Sequence, residues 1–396
     1  MNPMLRTLPL VALVLGLSGC ATMWDSMTSW IPSIPTPSFD WLTGGSKKPG
    51  PLPQLTPSAT AQLQWQASVA KAAPGFAPAI TKDAVYAAAS NGTLTRLTRD
   101  TGRATWSVSA APSLSAGPGA DNDLVVVGTD KGEVLAFGTA DGKSRWTASV
   151  SSSINAPPLV SDGIVVVFSN DGRIYGFNVS DGKTKWVNQR AMPPLSVRNT
   201  AGGVVFRGGL FVGVAGGRLL AIDIESGALG WDSAVANPKG ATELERIADV
   251  TSLPLLIGRQ ACAVAFQGRL ACFDVLRGQL TWSRDVSSLA GISGDERTLF
   301  ITDETGAVQA LDPANGASIW KQDVLASRRI GGPQLIGEFV GVVDIEGYLH
   351  LLSRSDGKYV GRFATDGKAA TAQPERFDNA VLWQSIAGTV YAVTAK

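Results

Sequence analysis

The chain has 396 residues, a formal net charge of +1 and only 17% charged residues. A charge balance this even leaves no basic footprint for nucleic acid, and the length suits one large domain. Glycine is abundant, at 44 residues, as a turn-dense β chain requires.

Residues 1–19 read as a secretory signal. Arg6 supplies the positive start, and Leu8 to Leu17 is an apolar run too short to span a bilayer. Leu17-Ser18-Gly19-Cys20 resembles the lipobox of bacterial lipoproteins, in which the bond before the cysteine is cut and the cysteine is lipidated. The resemblance makes Cys20 the lipidation site and the start of the mature chain. Thr22, not an aspartate, stands two residues behind it, which on the same resemblance implies the outer membrane. Residues 20–60 follow as a semi-extended tether, with prolines recurring from Pro32 to Pro57. Trp24, Trp30, Phe39 and Trp41 are unusual in a plain linker. They rest at the membrane interface, dock on a partner or touch the following domain; the residues alone leave these open.

Ala61 to Gln66 reads as a strand with Trp65 in it but no hairpin before it. A unit of about 40 residues then repeats, which is the mark of a propeller or similar array. Its signature is a glycine 14 residues ahead of a tryptophan: Gly92/Trp106, Gly132/Trp146, Gly172/Trp186, Gly217/Trp231, Gly268/Trp282 and Gly306/Trp320. A second glycine sits four residues before each tryptophan, from Gly102 to Gly316.

The stretch from Asn155 to Trp186 shows what one unit folds into. Ile164 to Phe168 is a β-branched apolar run, read as a strand buried on both faces. Asn170-Asp171-Gly172 is a hairpin turn, and Ile174 to Val179 alternates as a second strand. Asp181-Gly182 turns the chain into a strand carrying Trp186, and Asn155 to Val160 supplies the innermost strand. Four short antiparallel strands make a propeller blade. The tryptophan on the outer strand is expected to pack between neighbouring blades.

Gly347 opens a seventh unit, but Gly361 stands where tryptophan is expected, with Phe363 as the ring available to fill in. Gly388 opens an eighth, and the sequence stops at Lys396 before a tryptophan strand. The strand at Ala61 to Gln66 therefore completes the last blade and closes the ring without an open edge. The expected fold is all-β: an eight-bladed propeller over residues 61–396.

Chemistry-bearing residues are few. Cys262 and Cys272 mirror each other about the Gln267-Gly268 turn, and either form a disulfide or stay as two buried thiols. No histidine lies near them to complete a metal site. His350 is the only histidine and reads as a structural strand residue. The Asp-Gly pairs are explained by the hairpins they close, not as calcium ligands.

Connections between units are uneven. From a tryptophan to the next hairpin glycine the spacing is 26 at Trp106 to Gly132, but 31 at Trp186 to Gly217 and 37 at Trp231 to Gly268. Consecutive units carry both expansions in the same kind of connection, so propeller symmetry sets them side by side on one face, where binding function concentrates. Met192 to Arg198 offers apolar anchors and an arginine. In 240–250, Leu244 and Ile247 suggest one amphipathic helical turn.

The unit Gly-x-(Leu/Ile/Val)-x-(Ala/Gly)-(Leu/Phe/Ile)-(Asp/Asn)-x-x-x-Gly-x-x-x-Trp is similar to the repeat of pyrroloquinoline quinone-dependent dehydrogenases. It is clearest at Gly172 to Trp186, Gly217 to Trp231 and Gly268 to Trp282. The BamB family, lipoprotein propellers of the β-barrel assembly machinery, uses the same repeat. Many of the dehydrogenases carry two adjacent cysteines over the cofactor and an acidic calcium site, and neither pattern appears in this sequence. With its lipobox, tether and eight blades, the chain resembles the BamB family over essentially its whole length.

The resemblance implies a non-enzymatic scaffold with no cofactor, lipid-anchored to the outer membrane and facing the periplasm. It implies binding to the POTRA domains of BamA, the barrel-forming subunit, and help with inserting outer-membrane proteins. Leu195, Val197 and Arg198 become contact residues, with Asp249 in the acidic part of the patch and Thr251 where some relatives carry a second acid. Unfolded outer-membrane clients would pair with rim strands by β-augmentation. The residues by themselves also allow Arg198 to pair inside its own propeller with Leu195 in the core, and Glu243 to pair with Arg246. A quinone-binding oxidoreductase and a cell-envelope glycan-binding propeller are the competing functions.

Overall fold

The computed structural model describes residues 48–197 and 201–396. Thirty-two strands pair into eight four-stranded antiparallel sheets, the blades of a β-propeller. Blade three shows the plan: Leu159–Ser161, Ile164–Phe168, Arg173–Asn178 and Thr184–Gln189, hydrogen-bonded in that order. Its inner strand begins four residues later than Asn155, because Pro157 and Pro158 have no N–H to give a ladder. Inner strands of successive blades pack on one another around the axis, as Ile292–Gly294 does on Gln334–Ile336. Gln373 ties this inner ring: its amide donates to Ile292 O at 3.1 Å and Pro333 O at 2.7 Å, in blades six and seven.

Each outer strand carries a bulge at the residue before its tryptophan, or before Gly361 in blade seven, as where Trp186 pairs with Gly176 but Thr184 with Phe177. A bulge bends and twists the strand, and here it turns the ring toward the following blade. The indole N–H of Trp186 donates to Ile224 O of blade four at 2.9 Å. Its ring lies on Gly227, where an added Cβ would come 2.5 Å from a ring carbon and φ is +72°. The same pairing joins Trp65 to Gly102, Trp106 to Gly142, Trp146 to Gly182, Trp231 to Gly278, Trp282 to Gly316 and Trp320 to Gly357. Each of these indoles likewise donates to a carbonyl of the next blade. The second glycine of the repeat is thus the seat for the preceding blade's tryptophan. Truncating a core tryptophan costs about 3–5 kcal/mol.

Seven rings serve eight junctions. The eighth, between blades seven and eight, is where Gly361 replaces tryptophan. Blade eight consists of Glu375–Phe377, Ala380–Gln384, Thr389–Ala395 and, as its outer strand, Ala61–Ser68. The tight turn found between the last two strands elsewhere is replaced by Thr60 and Lys396 exchanging backbone hydrogen bonds at 2.8 and 3.0 Å. Chain entering this strand crosses blade seven: Ser58 N–H and Ala59 N–H both donate to Val360 O, at 2.9 and 3.1 Å. A Cβ on Gly361 would meet Ala59 O at 2.9 Å. Backbone from the N-terminal side occupies the tryptophan's place, and Phe363 packs at the edge of the same cluster.

This strap is clamped further upstream. Gly50 N–H donates to Ser327 O at 2.9 Å, and Arg328 Nη1 donates to Gly50 O at 2.5 Å. Arg328 is 2% exposed and bonds Asp344 through Nε (2.9 Å) and Nη2 (2.6 Å), and Glu346 through Nη2. His350 is fully buried, with Nε2 2.9 Å from Asp344 Oδ2 and Nδ1 3.0 Å from the Tyr359 hydroxyl. Burial opposes ionisation of Asp344, but bonds from His350, the Tyr348 N–H and Arg328 hold its carboxyl below the ordinary range. Replacing Arg328 with methionine strands a buried carboxylate. Urea denaturation is expected to show a loss of about 3–5 kcal/mol for R328M, with R328K recovering only part because lysine cannot fork to three acceptors.

The side chain of Glu375, on the inner strand of blade eight, has no hydrogen-bond or ion-pair partner among the described residues. Burial pushes its carboxyl up to about 7. A carboxyl raised in the folded state binds its proton more tightly there than in the unfolded chain, so stability rises as pH falls through the folded value. Unfolding measured from about pH 8 down to about pH 5 should therefore show a gain in stability that the E375Q variant lacks.

Candidate functional site

In an antiparallel blade, the link from an outer strand to the next inner strand leaves on the same face as the hairpin between the second and third strands. Both long connections, 190–202 and 235–254, are links of this type, joining blades three to four and four to five. They lie side by side on one face.

The first connection presents apolar side chains outward. Met192 is 41% exposed and Leu195 48% exposed, so Leu195 is not a core residue. Val197 is half-buried. Arg198 lies outside the described residues, as do Cys20, the signal and the tether aromatics. The start of this connection is held by Arg190, whose Nη2 donates to Asp232 at 2.6 Å, while Arg218 grips the other oxygen of that carboxylate at 2.6 Å. Nothing in the sequence pattern singled out Arg190 or Asp232, because their positions are 42 residues apart and meet only through blade packing.

The second connection folds on itself. Residues 243–246 form a single hydrogen-bonded turn with helical spacing, the Arg246 N–H donating to Thr242 O at 3.2 Å. Glu245 Oε2 accepts from the N–H groups of Ala241 and Thr242, at 2.7 and 3.1 Å, which closes the turn's start. Glu243 and Arg246 pair internally at 3.1 Å. Ile247, Ala248 and Val250 are buried against the alanine-rich wedge between blades four and five.

Asp249, which the resemblance sets in the acidic part of the patch, lies beneath the two connections. It is 2% exposed. One carboxylate oxygen accepts the Val197 N–H of the first connection at 2.5 Å, and the other accepts the Gly216 N–H of blade four's hairpin at 2.7 Å. Desolvation raises its carboxyl above the ordinary range, against the pull of those two N–H groups. The carboxylate therefore fastens both long connections and one hairpin together. Spacing alone cannot show this, since it depends on how two loops fold over each other.

On blade five, beside these loops, Cys262 and Cys272 occupy directly paired positions of neighbouring strands and are joined as a disulfide, with Cα atoms 4.0 Å apart. Both are fully buried. Among the described residues no three His, Cys, Asp or Glu side chains converge as a metal site would require. The site offers exposed apolar groups on a backbone held by buried polar bonds. Its chemistry is that of surface recognition, where prior ordering lowers the cost of association.

Fold and loops together define an eight-bladed propeller of the quinoprotein repeat type, with one face built up by two enlarged connections. The architecture is shared widely: quinohemoprotein alcohol dehydrogenase from Comamonas testosteroni superposes with a TM-score of 0.64 at 14% identity, over 84% of this chain and 76% of its own, a likeness of fold alone. Narrower comparisons separate the families. A family model described as outer membrane protein assembly factor BamB matches residues 90–322 and 304–396. Outer membrane protein assembly factor BamB of Bordetella pertussis is 40% identical over 350 residues, covering 88% of this chain and 90% of that one. The BamB of Alkalilimnicola ehrlichii is 45% identical over 344 residues, covering 86% and 90%. The crystal structure of BamB from Moraxella catarrhalis superposes with a TM-score of 0.79 at 25% identity, over 85% of this chain and all of its own. The chain belongs to the BamB family of outer membrane protein assembly factors.

The Asp249 clasp has a measurable signature. Asparagine keeps one acceptor but turns an NH2 group toward the second N–H donor, while removing a buried charge. D249N should speed hydrogen exchange at Val197 and Gly216 by at least about tenfold, with protection in the blade cores unchanged.

Proposed function

We propose that the protein is a non-enzymatic scaffold of outer-membrane β-barrel assembly. It binds the POTRA domains of BamA through its two enlarged connections and helps that subunit receive outer-membrane proteins for insertion. Lipid on Cys20 holds it to the outer membrane, on the periplasmic side, with residues 20–60 as the tether. Family membership supports the assembly role, and among the described residues no helix is long and apolar enough to cross a membrane.

The observation that carries the reading is the exposed Leu195, held out by a loop whose backbone is pinned from below. An exposed leucine on a pinned loop suits an apolar anchor, and Arg198, three residues on in the sequence, is the charged one. In this reading Leu195, Val197 and Arg198 meet the partner, while Asp249 acts mainly by holding them in place. Unfolded clients engage rim strands separately, by β-augmentation.

The test is titration of the propeller with isolated BamA POTRA domains. L195A and R198A should each weaken binding by about tenfold or more with the fold intact by circular dichroism. Undiminished affinity in both variants would move the contact elsewhere. A wild-type protein that ignores the POTRA domains would remove the reading.

A further inference from the structure

The face opposite the long connections carries the hairpins between first and second strands and between third and fourth. Between blades four and five these hairpins stand apart and leave a cleft of about 470 Å³. Phe206, Phe211, Trp231, Val275 and Leu276 form its apolar lining. Leu276 is 73% exposed, the most exposed large apolar side chain among the described residues. Trp231 is only half-buried, whereas Trp186 in the preceding junction is 8% exposed.

Side-chain size differs between this junction and the preceding one. The wedge between blades three and four is filled by Ile164, Val166, Leu210, Leu220, Ile222 and Ile224. Between blades four and five, Ala261, Ala263 and Ala271 of blade five take the register positions that Leu210, Val212 and Leu220 hold in blade four. Of the alanines at this junction, Ala221 of blade four lines the cleft beside Trp231.

Two arginines guard the opening, one from each first hairpin. Arg207 is exposed, with its guanidinium 5.0 Å from the centre of the Phe206 ring, and no acidic side chain pairs with it among the described residues. Arg259 is 76% exposed and reaches Asp274 at 3.3 Å. The carboxylates nearby are already occupied. Asp223 accepts from the N–H and hydroxyl of Ser226, at 2.8 and 2.6 Å. Asp274 accepts from the N–H groups of Leu276 and Arg277, at 3.1 and 3.0 Å, closing its own turn. An uncovered indole edge, a free leucine and an unclaimed guanidinium therefore face the same opening.

We propose that this cleft is a second docking site, for an extended peptide that sets an aromatic side chain against Trp231 and Leu276 and a neighbouring carboxylate on Arg207. The cleft lies within the usual size of ligand sites, about 300–1,000 Å³. Its apolar wall, with Phe211 and Ala221 beside Trp231, offers a surface for one ring, and Arg207 at the opening offers a charge for the neighbouring residue. Trp and Arg around an apolar centre are the residue types that dominate protein contacts. The site sits on the face away from the enlarged connections and does not depend on the function proposed for them.

The probe is a fluorescein-labelled peptide with the core Ser-Gly-Phe-Glu-Gly-Ser, titrated into the whole propeller and read by anisotropy. Saturable binding with a Kd of about 1 mM or tighter is expected. The matching Phe-Gln peptide should bind at least about fivefold more weakly, since it lacks the charge. R207N should weaken the Phe-Glu peptide about tenfold; asparagine tolerates the left-handed backbone that Arg207 adopts at φ 49°. L276D should abolish binding, and both exposed changes should leave the near-ultraviolet dichroism unaltered. No saturable binding, equal affinity for the Phe-Gln peptide, or equal affinity in both variants overturns the proposal. Displacement of the peptide by dodecanoate at comparable concentration assigns the cleft to lipid and overturns it too.

Discussion

Everything in this molecule hangs on an indole ring lying across a glycine of the next blade. A glycine in a left-handed turn leaves a flat, empty place, and the preceding blade's tryptophan fills it while its N–H takes a backbone carbonyl. One contact thus sets the distance, the angle and the hydrogen-bond register between two sheets. Because every blade but the seventh gives a ring and every blade but the eighth receives one, the contacts form a chain around the axis. A chain of this kind needs a closing link, and the eighth junction is built differently from the other seven.

That closing link explains the anomaly in the seventh repeat. The strand that completes blade eight arrives from the N-terminal side, so its approach must cross blade seven. The strap needs the volume a tryptophan would occupy, and Gly361 yields it. Arg328 then fastens the strap at Gly50 with a guanidinium that is itself held by Asp344 and Glu346. A buried charge network is a weak source of net stability but a strong source of positional definition when all its members are satisfied. Here it defines where the chain enters the ring, upstream of the strand most exposed to peeling.

The two sides of the propeller differ in how they treat their loops. On one side, buried polar groups lock long connections into a single surface: Asp249 reaches one loop and one hairpin, and Asp232 takes two arginines. Ordering of this kind lowers the entropy lost when a partner arrives. On the other side, the hairpins of blades four and five stand apart and Trp231 lines the opening between them. Both features come from the same junction region, around blades three to five, where the regular repeat is most heavily modified.

How much of this the sequence held can be traced residue by residue. Periodic Gly and Trp carried the blade count, the four-strand plan and ring closure, because each repeat obeys local rules of turn and alternation. Spacing between Trp186 and Gly217, and between Trp231 and Gly268, located the enlarged connections and set them on one face. Cys262 and Cys272 were placed opposite each other by symmetry about their turn. The tertiary structure alone decided the rest. Ala59 fills the space before Gly361 although the two are far apart in the chain; Asp249 is a buried clasp between two loops and a hairpin; and the cleft beside Trp231 is lined from two different blades. Each depends on which side chains meet across a junction, and periodicity describes a blade from within without describing what its neighbour brings to it.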